Sequence, residues 1–293
     1  MRTLHLGHER LKPMKILVTG GSGYLGTHVR RIFGADDFSR RSNLNILDSV
    51  DLELIEDYDA VIHLAAHLDK NPDAAKLCFL TNAEGTANVI SHMKPGAVFI
   101  YASTKDVYGP HANAYTETPE TCAVDFAGQT AFEWSKLIGE RYVEYYAQRR
   151  RVRACIFRLS TVYARPSDGN ESGFVTHYVE SVKHRWPIDV PVGGHATRDI
   201  LHVNDFSLAC RAFIESAHSS GLYNLGGGRA NAVSLRELID TIGGLIKIKP
   251  VVRESQMLPH PVPVNYISDL TKVYSDLGWR PMIGIEDGLK SLL

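Results

Sequence analysis

Apolar residues follow two rhythms along this chain. Short runs at 15–19, 58–66, 97–102 and 152–159 are apolar without a polar face, the pattern of strands covered on both sides of a parallel sheet. Between them lie longer stretches with helical spacing. Residues 24–33 place Leu25, Val29, Ile32 and Phe33 on one side; 73–93 and 130–148 also read as helices, the former closed by Pro95-Gly96. A further run, 44–48, follows the polar break 34–37 and predicts the second strand, ending in Asp48. Strands and helices taking turns through 14–160 predict an α/β fold of Rossmann type, a doubly wound parallel sheet with ligands at the carboxyl ends of its strands. After residue 165 the loops lengthen, Pro166, Pro187 and Pro191 appear and strands become sparse, although Leu235, Leu238, Ile239 and Ile242 keep helical spacing within 234–245. The expected organisation is a dinucleotide-binding domain over 14–165 with return segments near 195–225, a smaller C-terminal substrate-binding lobe within 166–293, and an extension of 1–13 before Met14.

The first strand runs straight into Gly20-Gly21-Ser22-Gly23-Tyr24-Leu25-Gly26, where the first helix begins. Glycine at 20, 23 and 26 permits a tight turn, close approach of the backbone to a pyrophosphate and packing of helix on strand, while free N–H groups at the helix start face the anion. Asp48 lies 22 residues beyond Gly26, about where an acid ending the second strand bonds the adenosine ribose and favours NAD over its 2′-phosphorylated relative. The plain alternative is an acid that merely ends a strand, and Asp51-Leu52 competes for the adenine side. Leu64-Ala65-Ala66 closes the third run with mainly small side chains, suited to a flat ligand. The fourth leads into Ser103-Thr104-Lys105-Asp106-Val107-Tyr108-Gly109, which brings a hydroxyl, an amine and a carboxylate to the ligand edge. At an arbitrary strand end these would cap a turn and face water; the position favours chemistry. Phe132 and Lys136 stand four apart on helix 130–148 and share a face.

Composition narrows the class. A formal net charge of −1 with 22% charged residues gives no surface for nucleic acid, and the short basic run 149–153 reads as the solvated end of a helix. No apolar run reaches membrane-spanning length and 1–13 has no signal-peptide core, so the expectation is a soluble, cytoplasmic protein without a membrane partner, with Met14 as an alternative start. Cys78, Cys122, Cys155 and Cys210 form no CxxC pair and predict reduced, mostly buried thiols; with the histidines equally dispersed, no metal site is expected.

Taken in order, the glycine turn, His63-Leu64-Ala65-Ala66, Asn82-Ala83-Glu84-Gly85-Thr86, the 103–109 stretch, Ser135-Lys136-Leu137-Ile138-Gly139-Glu140, the run 197–205, Tyr223-Asn224-Leu225-Gly226-Gly227-Gly228 and Leu277-Gly278-Trp279-Arg280-Pro281 carry a resemblance that runs from Met14 almost to Leu293. It resembles the extended short-chain dehydrogenase/reductases, the NAD-dependent epimerase/dehydratase family that acts on nucleotide sugars. The resemblance implies bound NAD, held by Gly20, Gly23, Tyr24, Leu25, Gly26, Asp48, Leu64, Ala65, Ala66, Asn82 and Lys136, and a nucleotide-diphosphate sugar oxidised to a keto intermediate. It also implies a homodimer paired through helices 73–93 and 130–148, with Phe126, Trp134 and Tyr145 available to the interface. In that family a helix Tyr takes the hydroxyl proton, its pKa lowered by a Lys four residues later. Carried over by position, Thr104 is the hydroxyl that shares this proton, Lys136 is the lysine, and Arg198 is the arginine whose planar fork holds the diphosphate. Thr161 replaces a family Asn and Ala164 a family Gly, both beside the sugar site.

The Tyr position is Phe132, which has no proton to give or accept. Three readings account for it: a substitution made to trap a substrate, an enzyme whose base is another group such as Asp106 or Lys105, or a catalytically silent protein that binds NAD and a nucleotide sugar. Lys105 and Asp106 occupy the positions of the Asp-Glu pair that eliminates water in 4,6-dehydratases, so the resemblance to that branch is weaker; an STxK-like pattern is loosely similar to epimerases acting at carbon 2 of CDP-sugars.

Overall fold

In the computed structural model, which describes residues 14–167, 173–255 and 263–293, the two-sided apolar runs form the centre of one sheet. The extension of 1–13 lies outside the described residues. The strands are β1 (Ile16–Thr19), β2 (Asp36–Phe38), β3 (Ala60–His63), β4 (Val98–Thr104), β5 (Arg153–Leu159), β6 (Thr161–Tyr163), β7 (Ile188–Pro191), β8 (Thr197–His202), β9 (Ser220–Leu225), β10 (Ala232–Ser234) and β11 (Val252–Ser255). Six of them make the main sheet in the order β2-β1-β3-β4-β5-β9, with every pair parallel.

The helices are α1 (Gly26–Phe33), α2 (Ser49–Leu52), α3 (Ala75–Cys78), α4 (Gly85–Ser91), α5 (Ala131–Arg150), α6 (Phe174–His184), α7 (Val203–Glu215), α8 (Leu235–Ile246), α9 (Thr271–Leu277) and α10 (Ile285–Lys290). The expected helix 73–93 therefore arrives in pieces, with a π-helical stretch at Phe79–Glu84 between α3 and α4. Strand side chains alternate between faces. Val18, Ile62, Ile100 and Phe157 pack with Val29 of α1 and Phe206 and Phe213 of α7, whereas Leu17, Val61, Phe99 and Tyr101 pack with Val89 and Ile90 of α4 and Val143 of α5. Both faces are covered, which is why these strands show no polar period.

The second strand is a correction. It is Asp36–Phe38, paired Leu17 to Asp36 and Val18 to Asp37, and not the run 44–48. As an edge strand it is three residues long, held by backbone bonds to β1 and by a single apolar anchor, Phe38, buried in the core. In the 44–48 segment Asn43 turns left-handed at φ 59, Asn45 N–H bonds the Asp51 carboxylate, and Ile46 is buried against Gly85, where a Cβ would lie 2.5 Å from the Ile46 side chain. Its apolar residues plug a helix contact instead of extending a sheet.

Beyond β5 the chain builds a second layer group. β10-β8-β6 and β11-β7 form two small sheets, and α6 and α8 cover them with Val175, Val179, Leu238, Ile239 and Ile242. The chain then returns, since β9 completes the main sheet beside β5 and α7 packs beside α1 on its face.

Candidate active site

The glycine turn joins β1 to α1 at the carboxyl edge of the sheet. Gly23 N–H bonds Gly20 O at 2.9 Å, and a Cβ on Gly26 would lie 2.1 Å from the same oxygen, so only glycine closes this turn. Asp37, the middle residue of β2, lies over the turn: its Oδ1 is buried without a hydrogen-bond partner and would meet a Cβ on Gly21 at 2.6 Å. Ser39 Oγ donates to Oδ2 at 3.0 Å and Arg30 stands 3.5 Å away. A buried carboxylate oxygen left open beside a turn stripped of side chains fits a ribose hydroxyl. Asp48, the acid expected there, instead accepts from Val50 N–H and caps α2. Asp37 was missed because its strand was missed.

The expected cofactor residues divide by what they touch. Leu64, Ala65 and Ala66 leave β3 half-buried along the turn, with Ala65 N–H on Thr19 Oγ1 at 3.3 Å. Leu25 packs into the core. The Tyr24 hydroxyl donates to Ala164 O at 2.7 Å and accepts from Ala164 N–H at 2.8 Å, tying the turn to the chain after β6. Asn82 is fully buried, and its side chain braces the floor of the site. Both its N–H bonds are engaged, by His67 O and Ser135 Oγ, and its Oδ1 accepts from His67 N–H. His63 lies below this floor between Thr19 and Thr86 at 2.7 and 3.0 Å. Burial lowers its pKa to about 3, so it stays neutral.

β4 delivers Thr104, whose Oγ1 accepts from Asp106 N–H at 3.1 Å and whose hydroxyl proton remains free to be donated. Thr130 caps the start of α5 in a capping box with Glu133, which fixes the first turn and buries Phe132 against the site. One turn on, Lys136 is buried; its Nζ donates to Ala102 O at 2.7 Å and lies 4.9 Å from the centre of the Tyr101 ring. Burial lowers its pKa to about 7, opposed by Glu140. Glu140 itself is held by Ser103 Oγ at 2.6 Å and by a two-point pair with Arg158 at 3.0 and 2.7 Å. The helix is thereby fastened to β4 and β5 directly beneath the lysine.

Around Phe132 four charged side chains alternate in sign. Glu133 Oε1 is 2.6 Å from Lys70 Nζ, Lys70 is 2.9 Å from Asp106 Oδ2, and Asp106 Oδ1 is 2.5 Å from Lys105 Nζ. Lys70 also lies 5.3 Å from the centre of the Phe132 ring. Burial pushes the Asp106 carboxyl up, but Lys105 and Lys70 override it and hold the group well below the ordinary range. Burial lowers the Lys105 ammonium, helped by Arg198 and Lys70 and opposed by Asp106. For Lys70 the pull of burial is exceeded by Asp106 and Glu133, and its pKa rises. Lys70 and Glu133 carried no sequence signal, since only the fold brings them together.

Arg198, on β8, donates to Thr197 O at 2.7 Å and Val264 O at 2.6 Å, and among the described residues no carboxylate lies within ion-pair distance of it. The neighbouring Asp199 faces the other way, bonded by Ser160, Ser268 N–H and Gly228 N–H, so the two do not form a surface ion pair. Thr161 begins β6 alongside Ile200, half-buried. No cluster of metal-ligating side chains occurs among the described residues, where also no helix is long and apolar enough to cross a membrane.

Residues 16–226 match the NAD dependent epimerase/dehydratase family. The chain is 26% identical over 319 residues to UDP-glucuronic acid decarboxylase 1 of Arabidopsis thaliana, covering 98% of this chain and 70% of that protein. It is 25% identical over 340 residues to CDP-paratose 2-epimerase of Salmonella typhi, covering 95% and 98%. The fold is that of UDP-glucuronic acid 4-epimerase from Bacillus cereus, solved with UDP-glucuronic acid and NAD: TM-score 0.81 at 22% identity, covering 95% of this chain and 97% of that one.

Proposed function

This chain belongs to the NAD dependent epimerase/dehydratase family, and from that premise we propose that it is an NAD-dependent nucleotide-sugar epimerase, or a closely related sugar-modifying oxidoreductase, working through a transient keto-sugar. The observation that carries the reading is that β4 carries both Thr104 and the Ala102 carbonyl that holds a buried, low-pKa Lys136, beside a glycine turn and an open Asp37 oxygen that suit NAD. When bound, NAD accepts a hydride from a sugar carbon and returns it. The glycine turn and α1 N-terminus receive the pyrophosphate, Asp37 the adenosine ribose, Lys136 the nicotinamide ribose, and Arg198 the sugar's diphosphate.

Phe132 leaves the hydroxyl proton without its usual acceptor. Asp106 is a poor substitute, because Lys70, which stays charged, holds it ionised and weakly basic even when Lys105 is a neutral amine. Lys105 is the better one: next to Thr104, buried, and crowded by Arg198 and Lys70, it loses its proton more readily than an ordinary lysine. The state of Asp106 also disfavours elimination of water, which needs a protonated acid at that place. The exposed Leu77, Phe79, Leu80 and Tyr145 on α3, the π-helical stretch and α5 support a homodimer through these helices. Four unpaired, buried cysteines are in keeping with a reducing compartment such as the cytoplasm.

The test is the near-ultraviolet absorbance of reduced nicotinamide when NAD-loaded protein meets a panel of nucleotide sugars, run beside Phe132→Tyr. Reduction by the parent protein supports an enzyme with a base other than residue 132. Reduction only by Phe132→Tyr makes the chain a silent binder of both ligands, which is the reading Phe132 itself favours. Failure of both variants to reduce NAD overturns the oxidoreductase reading.

A further inference from the structure

Phe132 removes more than a base. The missing phenol would also have been a hydrogen-bond donor to the sugar oxygen as negative charge grows there during oxidation. Among the described residues, Lys70 is the cation that lies over the Phe132 ring, at 5.3 Å from its centre. It comes from the segment after β3, which His67, Asn82 and Cys78 anchor to the helices: Cys78 Sγ lies 3.2 Å from Asp69 O, one residue before Lys70. Glu133 and Asp106 grip the ammonium from two sides at 2.6 and 2.9 Å. Of the three N–H donors of the ammonium, Asp106 takes one as a hydrogen bond, while the Glu133 contact is an ion pair whose Oε1 receives no hydrogen bond, so donor capacity is left over. The side chain is 25% exposed, so the ammonium is not sealed within the fold.

We propose that Lys70 serves the sugar hydroxyl in place of the phenol, by hydrogen-bonding its oxygen and stabilising the charge that develops on it. This rests on the oxidoreductase reading and assigns a residue within that site. The chemistry balances without a further reactant. With NAD bound as hydride acceptor, loss of the sugar C–H hydride would be matched by transfer of the O–H proton to Lys105 in its neutral amine form, leaving the carbon–oxygen double bond, while Lys70 keeps its own proton. Division of labour follows from the two environments. Lys70 has two acids and remains charged, whereas Lys105 shares one acid and faces Arg198 and Lys70.

The experiment measures reduced nicotinamide formation on NAD-loaded protein with the sugar from the panel that the parent oxidises. Lys70→Met is expected to lower kcat about 100-fold, the usual effect of removing one oxyanion donor, with KM little changed; because it also strands the buried Glu133 carboxylate it lowers the melting temperature, and rates are compared well below the transition of each variant. Lys70→Arg should recover most of the rate because the charge stays. Phe132→Tyr placed in the Lys70→Met background should rescue it, since a phenol then takes over the same oxygen. The role is overturned if Lys70→Met turns over at the parental rate, if its loss appears only in KM, or if Phe132→Tyr fails to rescue it. When neither the parent nor Phe132→Tyr reduces NAD with any sugar, the oxidoreductase reading falls and takes this role with it; an active parent indifferent to Lys70 removes this role alone.

Discussion

Replacing Lys136 by methionine should make the NAD-free protein's stability less dependent on pH while abolishing hydride transfer. Methionine fills nearly the same space with no charge, and position 136 is only 3% exposed. Burial moves the amine from 10.5 in the unfolded chain to about 7 in the fold. Below pH 7 the amine is protonated in both states and the native protein bears the whole cost of burying the charge. Between about 7 and 10.5 the native amine is neutral while the unfolded one still binds a proton, so stability rises with pH across that window. One pKa unit corresponds to about 1.4 kcal/mol, so the parent gains roughly 3 kcal/mol from this group between about pH 6 and pH 9, and Lys136→Met gains none of it. Urea unfolding of both proteins at the two pH values, extrapolated linearly to water, reads the change in their difference directly. The other titrating groups cancel in that difference. A gap that stays constant to within about 0.5 kcal/mol would refute a buried, neutral-leaning Lys136.

Two further expectations follow from the same geometry. Asp37→Ala should weaken NAD binding by about 10- to 100-fold, the range of one charge-assisted hydrogen bond, while Asp48→Ala leaves it nearly unchanged; calorimetric titration with NAD compares them, and equal losses would return the ribose role to Asp48. Glu140→Ala should destabilise the protein by about 3–5 kcal/mol, because it strands the buried Arg158 guanidinium and the Ser103 hydroxyl; a denaturant midpoint close to the parent's would show that water reaches the pair.

Much of this was legible in the sequence where local and global demands coincide. The glycine turn needs its residue types whatever surrounds it, and Ser135-Lys136 on a capped helix reads the same in one dimension as in three. The second strand was not legible, because a three-residue edge strand with the single apolar anchor Phe38 shows no apolar run, while the more apolar 44–48 was needed as a plug against Gly85. Asn82 reads as a ligand because its motif sits near the cofactor floor; that its amide joins His67 to Ser135 is visible only in the fold. The charged group around Phe132 was half visible. Lys105 and Asp106 are neighbours in sequence, but Lys70 and Glu133 arrive from distant segments, and it is Lys70 that keeps Asp106 ionised when Lys105 is neutral.

The return of the chain through β9 has a consequence for biosynthesis. Strand β5 stays a bare edge, with its backbone donors and acceptors unpaired and Phe157 lacking Tyr223, until residues 220–225 have been made. At ribosomal speeds of 5–20 residues per second, the intervening residues 160–219 take about 3 to 12 s to appear. During that interval the nascent chain presents an open parallel sheet, the kind of surface that recruits chaperones or a second nascent chain. The gene accordingly has no safe cut at residue 165: a fragment ending there would carry the glycine turn, Thr104 and Lys136 but keep this edge uncovered permanently, and the two lobes must be inherited and expressed as one unit.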